Sequence, residues 1–441
     1  MPTFGGISPA ASSGLAALAP HAAAGVSNSA GPVEDSQEAP TPVSLYVHVP
    51  FCVSKCAYCD FYSEAAVDPA RYAQFVDAVL FEAGHWSHYD LLDDVPTIYI
   101  GGGTPTIMGD ELVRLVEGLM QTVRLRPGAE VTVETNPETT DIQMVARLVE
   151  AGVNRFSIGV QSFDDSVLRT LGRCHDVAQT QRALQALRES DIPFSIDLIC
   201  GVPGQTFPSW EATLEQAVAS GARHASVYPL AVEPGTPLEA AVLEGRTPAP
   251  DPDVAADMML AAEVALTVGG MPRYEVANYA QPGHEARHNL VYWTGGAYLG
   301  VGPHAASMLP YPLYEAVAAG EGWEVAAPDA AHVPARARFT REVTLAEYLR
   351  YPLRRPEPLE LLTAPDAARE DVMLGLRLTA GVLASQVDAA GLGGVLQDLA
   401  EQGLVELGAD DSGDLRWATT QAGWLLGNQV FGAVWAGPEG S

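Results

Sequence analysis

Cys52, Cys56 and Cys59 stand in the run Pro50-Phe51-Cys52-Val53-Ser54-Lys55-Cys56-Ala57-Tyr58-Cys59-Asp60-Phe61, a CxxxCxxC spacing that crowds three thiols into one short loop. Three thiolates can hold three irons of a cubane cluster and leave the fourth iron open, whereas a closed zinc site or an ordinary ferredoxin cluster takes four protein ligands. The spacing therefore points to a metal centre left one ligand short. Two plainer readings use the same residues: buried cysteines acting as small apolar side chains, and a zinc ion completed by a distant His. A disulfide framework fits poorly. Only five cysteines serve 441 residues and the other two, Cys174 and Cys200, are isolated, a usage that implies a reducing compartment.

Such a loop must be held by regular elements, and from Val43 onward short apolar runs alternate with longer amphipathic ones, as in βα units around a parallel sheet. Strands are expected at 45–49, 97–100, 130–134, 155–158, 194–199 and 224–227. Helices are expected at 69–83, 110–123, 142–150 and 178–189. Six units fit an α/β fold, a partial (β/α)6 relative of the TIM barrel. The unusual residues fall just past the strand ends: the cysteine loop, Gly101-Gly102-Gly103-Thr104-Pro105, Glu134-Thr135-Asn136-Pro137, Gly159-Val160-Gln161-Ser162-Phe163 and Gly201-Val202-Pro203-Gly204-Gln205. In a parallel barrel, loops at that end converge on one site. Any one of them alone reads as a plain turn.

After Val227 the rhythm fades, with a helix expected at 252–268 and a Tyr-, Gly- and His-rich stretch at 273–307. Towards the C-terminus a helix at 367–376, a second at 395–402, a hairpin across 408–417 and a helix from Thr420 suggest a small winged-helix-like α+β module. Acidic residues outnumber basic ones by 55 to 24, a formal charge of -31. That field repels phosphate backbones and anionic lipids, so neither nucleic acid nor a bare membrane surface is an expected partner. Residues 1–41 are rich in Ala, Ser, Gly and Pro and contain no Lys or Arg, so they read as a disordered tail, not a secretory or transit signal. No apolar stretch reaches bilayer length. A cytoplasmic protein is expected.

The linked motifs resemble the radical S-adenosylmethionine (SAM) superfamily, and more closely its HemW-type haem-chaperone branch, related to oxygen-independent coproporphyrinogen III oxidase. The resemblance runs from Pro42 to the C-terminus. It implies a radical SAM core at 42–270, a connecting segment at 271–340 and a HemN-like module at 341–441. It also implies a 4Fe-4S cluster on Cys52, Cys56 and Cys59, with SAM chelating the open iron. Tyr46, Tyr58 and Phe61 would shield the cluster or touch SAM, and Gly101, Gly102, Gly103 and Thr104 would lie beside its amino group. Glu134, Gln161, Arg173 and Asp197 match polar SAM-contacting positions. A cationic Arg suits the methionine carboxylate, and a carboxylate at a strand end suits ribose hydroxyls. As isolated residues, Glu134 and Asp197 equally suit loop caps or ion pairs.

Two functions follow from the resemblance. One is oxidative decarboxylation of coproporphyrinogen III by a SAM-derived radical. The other is haem carriage, with haem as cargo passed to respiratory or other haem proteins. The oxidase pattern places a further Cys two residues after the third, where this chain has Phe61. The run His288-Asn289-Leu290-Val291-Tyr292-Trp293 instead reproduces the HNxxYW signature of the chaperone branch. His288 would ligate haem iron while Tyr292 and Trp293 flank the macrocycle. A hydrogen-bonded core His beside two core aromatics fits the same residues. His175, His224 and His304 compete for the haem role, and homodimerisation is an expectation that no residue pattern specifies.

Overall fold

The computed structural model describes residues 41–65, 68–324 and 333–437. The expected disordered tail, apart from Thr41, lies outside the described residues. All six expected strands are present and parallel: β1 (Ser44–Val49), β2 (Val95–Gly102), β3 (Leu125–Thr135), β4 (Arg155–Gln161), β5 (Phe194–Cys200) and β6 (His224–Pro229). Side chains alternate across each strand. Leu45, Val47, Ile98, Ile100, Val131, Val133, Phe156, Ile158, Ile196, Leu198, Ala225 and Val227 enter one apolar core, each larger side chain contributing roughly 1.5–3 kcal/mol by leaving water.

The alternate residues line the inside of the sheet, and they are polar: Tyr99, Thr132, Glu134, Arg155, Ser157, Ser195, Asp197, His224 and Ser226. A TIM barrel fills that space with branched aliphatic side chains. Here it remains a cavity.

Helices α1 (Ala70–Ser87), α2 (Asp110–Thr122), α3 (Ile142–Ala151), α4 (Val177–Glu189) and α5 (Phe207–Ala219) cover the outer face. In α2 the buried residues Leu112, Leu115, Val116 and Leu119 recur at three- and four-residue spacing, one stripe of a helix. Asp141, Asp176 and Thr206 cap α3, α4 and α5, each cap contributing about 1 kcal/mol.

The sheet departs from expectation at both edges. Residues 271–340, expected to connect two domains, supply β7 (Asn278–Ala280), antiparallel to β6, together with β8 (Tyr298–Val301), parallel to β1, and then β9 (Ala306–Pro310) and β10 (Pro334–Thr340). A further strand, β11 (Leu359–Thr363), lies past the expected boundary at 341, giving eleven strands in the order β11-β10-β9-β8-β1-β2-β3-β4-β5-β6-β7. These additions pair backbone groups that the outer strands would otherwise leave open. Their runs of three to seven residues carry too little period to stand out in sequence.

A buried carboxylate ties this extension to α1. Glu82, fully buried, accepts from Arg341 Nη2 at 2.8 Å, Tyr348 Oη at 2.7 Å, Trp86 Nε1 at 3.2 Å and the Gly302 N–H at 3.1 Å.

The C-terminal residues form their own core from Val372 to Val434. Helices Ala364–Gly375, Ala384–Ala389 and Gly393–Glu401 pack with a three-stranded sheet of Val382–Leu383, Leu415–Thr419 and Val405–Ala409, followed by Gln421–Leu425 and Gly427–Ala436. This is the winged-helix-like order. Trp424 donates from Nε1 to the Val276 carbonyl at 2.8 Å beneath the Arg273 guanidinium, seating the module on the barrel.

Candidate functional site

The cysteine loop follows β1 and is pinned by backbone bonds from four directions. Phe51–Cys52 pairs with Glu64–Ala65, closing the neck of the loop. Gly103 N–H donates to the Val49 carbonyl at 2.8 Å and Thr104 N–H to the Phe51 carbonyl at 2.6 Å, while Ala57 donates to Leu171 and accepts from Leu238. A Cβ on Gly103 would stand 2.4 Å from the Phe51 carbonyl oxygen. One on Gly102, whose φ is +110°, would strike the His48 ring. The glycines thus make room first for the protein's own atoms.

All three thiols are half-buried on the rim of a cavity of about 500 Å3. Burial pushes the Cys56 thiol up against the opposing charge of Arg173, and pushes Cys59 up to about 11, to which the neighbouring Cys56 and Cys52 add. As free thiols Cys56 and Cys59 stay neutral near pH 7, and binding a metal is what ionises such groups. The three cysteines line one rim of the cavity, and no fourth Cys or His ligand is grouped with them among the described residues. The residues present fit a three-cysteine cubane.

Below the rim the expected polar residues come together. Glu134 accepts from Tyr99 Oη at 2.7 Å and from the Gly102 N–H at 2.9 Å, with burial raising its pKa. Burial pushes Asp197 up to about 7, helped by the charge of Glu134 and opposed by the Ser226 and Ser157 hydroxyls. Arg173 donates from Nη1 to Cys56 Sγ at 3.4 Å and from Nη2 to Asn136 Oδ1 at 2.7 Å and the Gly159 carbonyl at 3.0 Å. Gln161 lines the same wall with φ +65°, a left-handed conformation costing on the order of 1 kcal/mol. Tyr58, Phe61 and Thr104 also line the cavity, Phe61 being 61 % exposed at its lip.

Some expected contacts move. Tyr46 and Gly101 are not cavity walls: Tyr46 stacks on Tyr99 and bonds His48, and Tyr99 takes the wall position. Asn136, in the Glu134-Thr135-Asn136-Pro137 loop, bridges Thr104 and Arg173, a role its sequence position does not signal. Cys174, isolated in sequence from the other cysteines, lies at the mouth with its sulfur 2.8 Å from Ser54 Oγ. Its only sequence signal was adjacency to Arg173.

The HNxxYW run forms the helix Arg287–Trp293, and its His does not open to the cavity. His288 is buried with Nδ1 2.8 Å from Thr97 Oγ1 and Nε2 2.9 Å from Tyr292 Oη, and its backbone N–H donates to Glu130. Burial pushes it down to about 3. With both ring nitrogens bonded inside the core it has no free lone pair for iron, so the expectation of a haem ligand gives way to a structural role. Tyr292 packs edge-on against Tyr298, and Arg377 lies 5.2 Å from the centre of the Trp293 ring. Of the competitors, His175 bonds Glu138 and the Val160 carbonyl, and His304 stacks on Tyr62.

Residues 46–217 match the radical SAM superfamily. A curated relative from Synechocystis, "Heme chaperone HemW", is 31% identical over 424 residues, covering 90% of this chain and 97% of its own length. The chain belongs to the HemW family. HemW relatives from Mycobacterium tuberculosis and Bacillus subtilis are 35% and 32% identical, covering 94% and 98% of their own lengths. The solved coproporphyrinogen III oxidase (HemN) of Escherichia coli superposes with a TM-score of 0.70 over 89% of this chain and 90% of its own, at 24% identity, a likeness of fold. Membership in the radical SAM superfamily implies a 4Fe-4S cluster and SAM. No helix among the described residues is long and apolar enough to cross a membrane.

Proposed function

We propose that this chain is a SAM-binding 4Fe-4S haem chaperone, which holds haem and passes it to haem-requiring proteins in a reducing, cytoplasmic setting. The observation that carries the reading is the match to HemW relatives along nearly their whole lengths. The three-thiol rim supports it, and so does Phe61 at the position where the oxidase pattern has a further Cys.

In this reading Cys52, Cys56 and Cys59 hold the cluster, which offers an open iron to the amino and carboxylate groups of SAM. Arg173 pairs with the SAM carboxylate while Asn136 fixes its guanidinium plane. Gly102, Gly103 and Thr104 border the amino group, and Glu134 and Asp197 take hydroxyls. Tyr58 and Phe61 screen the mouth from water.

The test gives anaerobically reconstituted protein haem in one vessel, and coproporphyrinogen III, SAM and a reductant in another. A haem spectrum that moves to an apo-haem acceptor protein, with no decarboxylated product, is expected. Decarboxylated product would overturn the chaperone reading.

A further inference from the structure

Two buried arginines in this chain are treated differently. Arg341, 3 % exposed, is paired with Glu82. Arg155 is 6 % exposed, yet among the described residues no carboxylate forms an ion pair with it, in a chain whose acidic residues outnumber basic ones by 55 to 24. Its Nη1 donates to the His284 carbonyl at 2.9 Å, and its Nη2 is buried with no partner. Burying a cation without a counter-charge is unfavourable, so such a site favours an anion.

Two more donors without partners line the same cavity. Thr132, the register partner of Arg155 on the neighbouring strand, has an unbonded buried hydroxyl. His224 Nε2 lies 3.0 Å from Tyr274 Oη, and that oxygen accepts the Ala286 N–H at 3.2 Å. In the tautomer in which the Tyr274 hydroxyl donates to Nε2, the His224 proton sits on Nδ1, a buried atom with no partner. The cavity's own carboxylates stand nearer the mouth than Arg155 and Thr132: Glu134 is level with Ser157 and through it with Ser195 and His224, and Asp197 is level with Ser226. A guanidinium nitrogen, a hydroxyl and an imidazole nitrogen among the cavity's lining residues thus stand without a partner in the protein.

We propose that Arg155, Thr132 and His224 form a carboxylate-binding site in the barrel cavity, taking either a small organic acid or the propionate arm of a porphyrin. The second source rests on the haem reading above, and the first does not.

The test uses the cluster-loaded full chain, R155Q, R155K and T132V. Thermal melting is followed against sodium propionate, with propionamide as the neutral control. Visible absorbance is followed against haem and its dimethyl ester. Propionate raises the wild-type midpoint in proportion to ln(1 + [L]/Kd), propionamide does not, R155Q loses the shift, and T132V and R155K keep part of it. Without ligand, R155Q melts at or above the wild type because an unpaired charge is gone; melting well below it would mark Arg155 as structurally compensated and overturn the site. Haem affinity falling at least tenfold in R155Q and on esterification assigns the porphyrin. Haem unaffected, or not bound at all, while propionate depends on Arg155 assigns a small acid, and absence of haem binding sinks only the chaperone reading. Identical responses of wild type and R155Q to both propionate and haem overturn the proposal.

Discussion

The two signature runs of this chain behave in opposite ways. In the cysteine loop the backbone is tied down on every side while the three sulfurs are left on a cavity rim. In the HNxxYW helix the side chains themselves are the ties: His288 spends both ring nitrogens on Thr97 and Tyr292. Spacing alone does not distinguish a socket from a fastener. Unused valence does, because a buried polar group is normally satisfied and one that is not marks a place where something else belongs.

Replacing any one of Cys52, Cys56 or Cys59 with Ala is the largest expected effect. Iron and sulfide content and the broad visible absorbance of the reconstituted protein fall to background. The metal-free form of each variant melts within about 1 kcal/mol of the metal-free wild type, because a half-buried thiol whose contacts are at most a long bond from Thr104 or Arg173 contributes little. A variant that kept a full complement of iron would break the socket reading.

His288→Phe sharpens the other side. It strands the Tyr292 hydroxyl in the core and leaves Thr97 with Ser44 as its partner, and the urea midpoint drops by the equivalent of roughly 1–3 kcal/mol, with iron content unchanged. A variant of wild-type stability that lost only its haem spectrum would return His288 to the list of ligands.

Between these extremes lies Arg173, which is part fastener and part socket. Arg173→Gln keeps a hydrogen-bond donor near Asn136 but removes the charge beside Cys56. SAM affinity, read from the change SAM causes in the reduced cluster's electron paramagnetic resonance spectrum, is expected to fall about 10–100-fold, the worth of one charge-assisted pair. No change would place the SAM carboxylate elsewhere.

How much of this was legible follows from what the physics repeats. The six strands stood out because an apolar residue recurs at every second position, as in Leu45, Val47 and Val49. The rim was legible because Cys52, Gly103 and Glu134 each end a strand, and parallel strands bring their ends together. The polar lumen was not, since Thr132, Arg155 and His224 are scattered along the chain and each reads as an ordinary strand residue. Only the register makes Thr132 and Arg155 partners, and only the closing of the sheet around one cavity puts His224 on the same wall. The meaning of His288 was equally hidden. Thr97, which claims its Nδ1, lies 191 positions away, and nothing local in HNxxYW says whether an imidazole faces a cavity or a hydroxyl.

The smallest effect tests that hidden partnership by pH. The His288 pKa is about 3 in the folded chain, against about 6.5 once unfolded. Between these values the unfolded chain binds a proton that the folded chain refuses, so this residue's contribution to stability is complete above about pH 6.5 and is lost as pH falls towards 3. From pH 7 to 5.5 the loss is about 1 kcal/mol by linkage. Many carboxylates titrate near that range, so the quantity to follow is the difference in unfolding free energy between wild type and His288→Phe, in which groups common to both cancel. The wild-type advantage should shrink by that amount on acidification. A difference that stayed flat would mean that His288 titrates as freely when folded as when unfolded. Its ring would then be reachable from solvent, and the contrast between socket and fastener would fail at this residue.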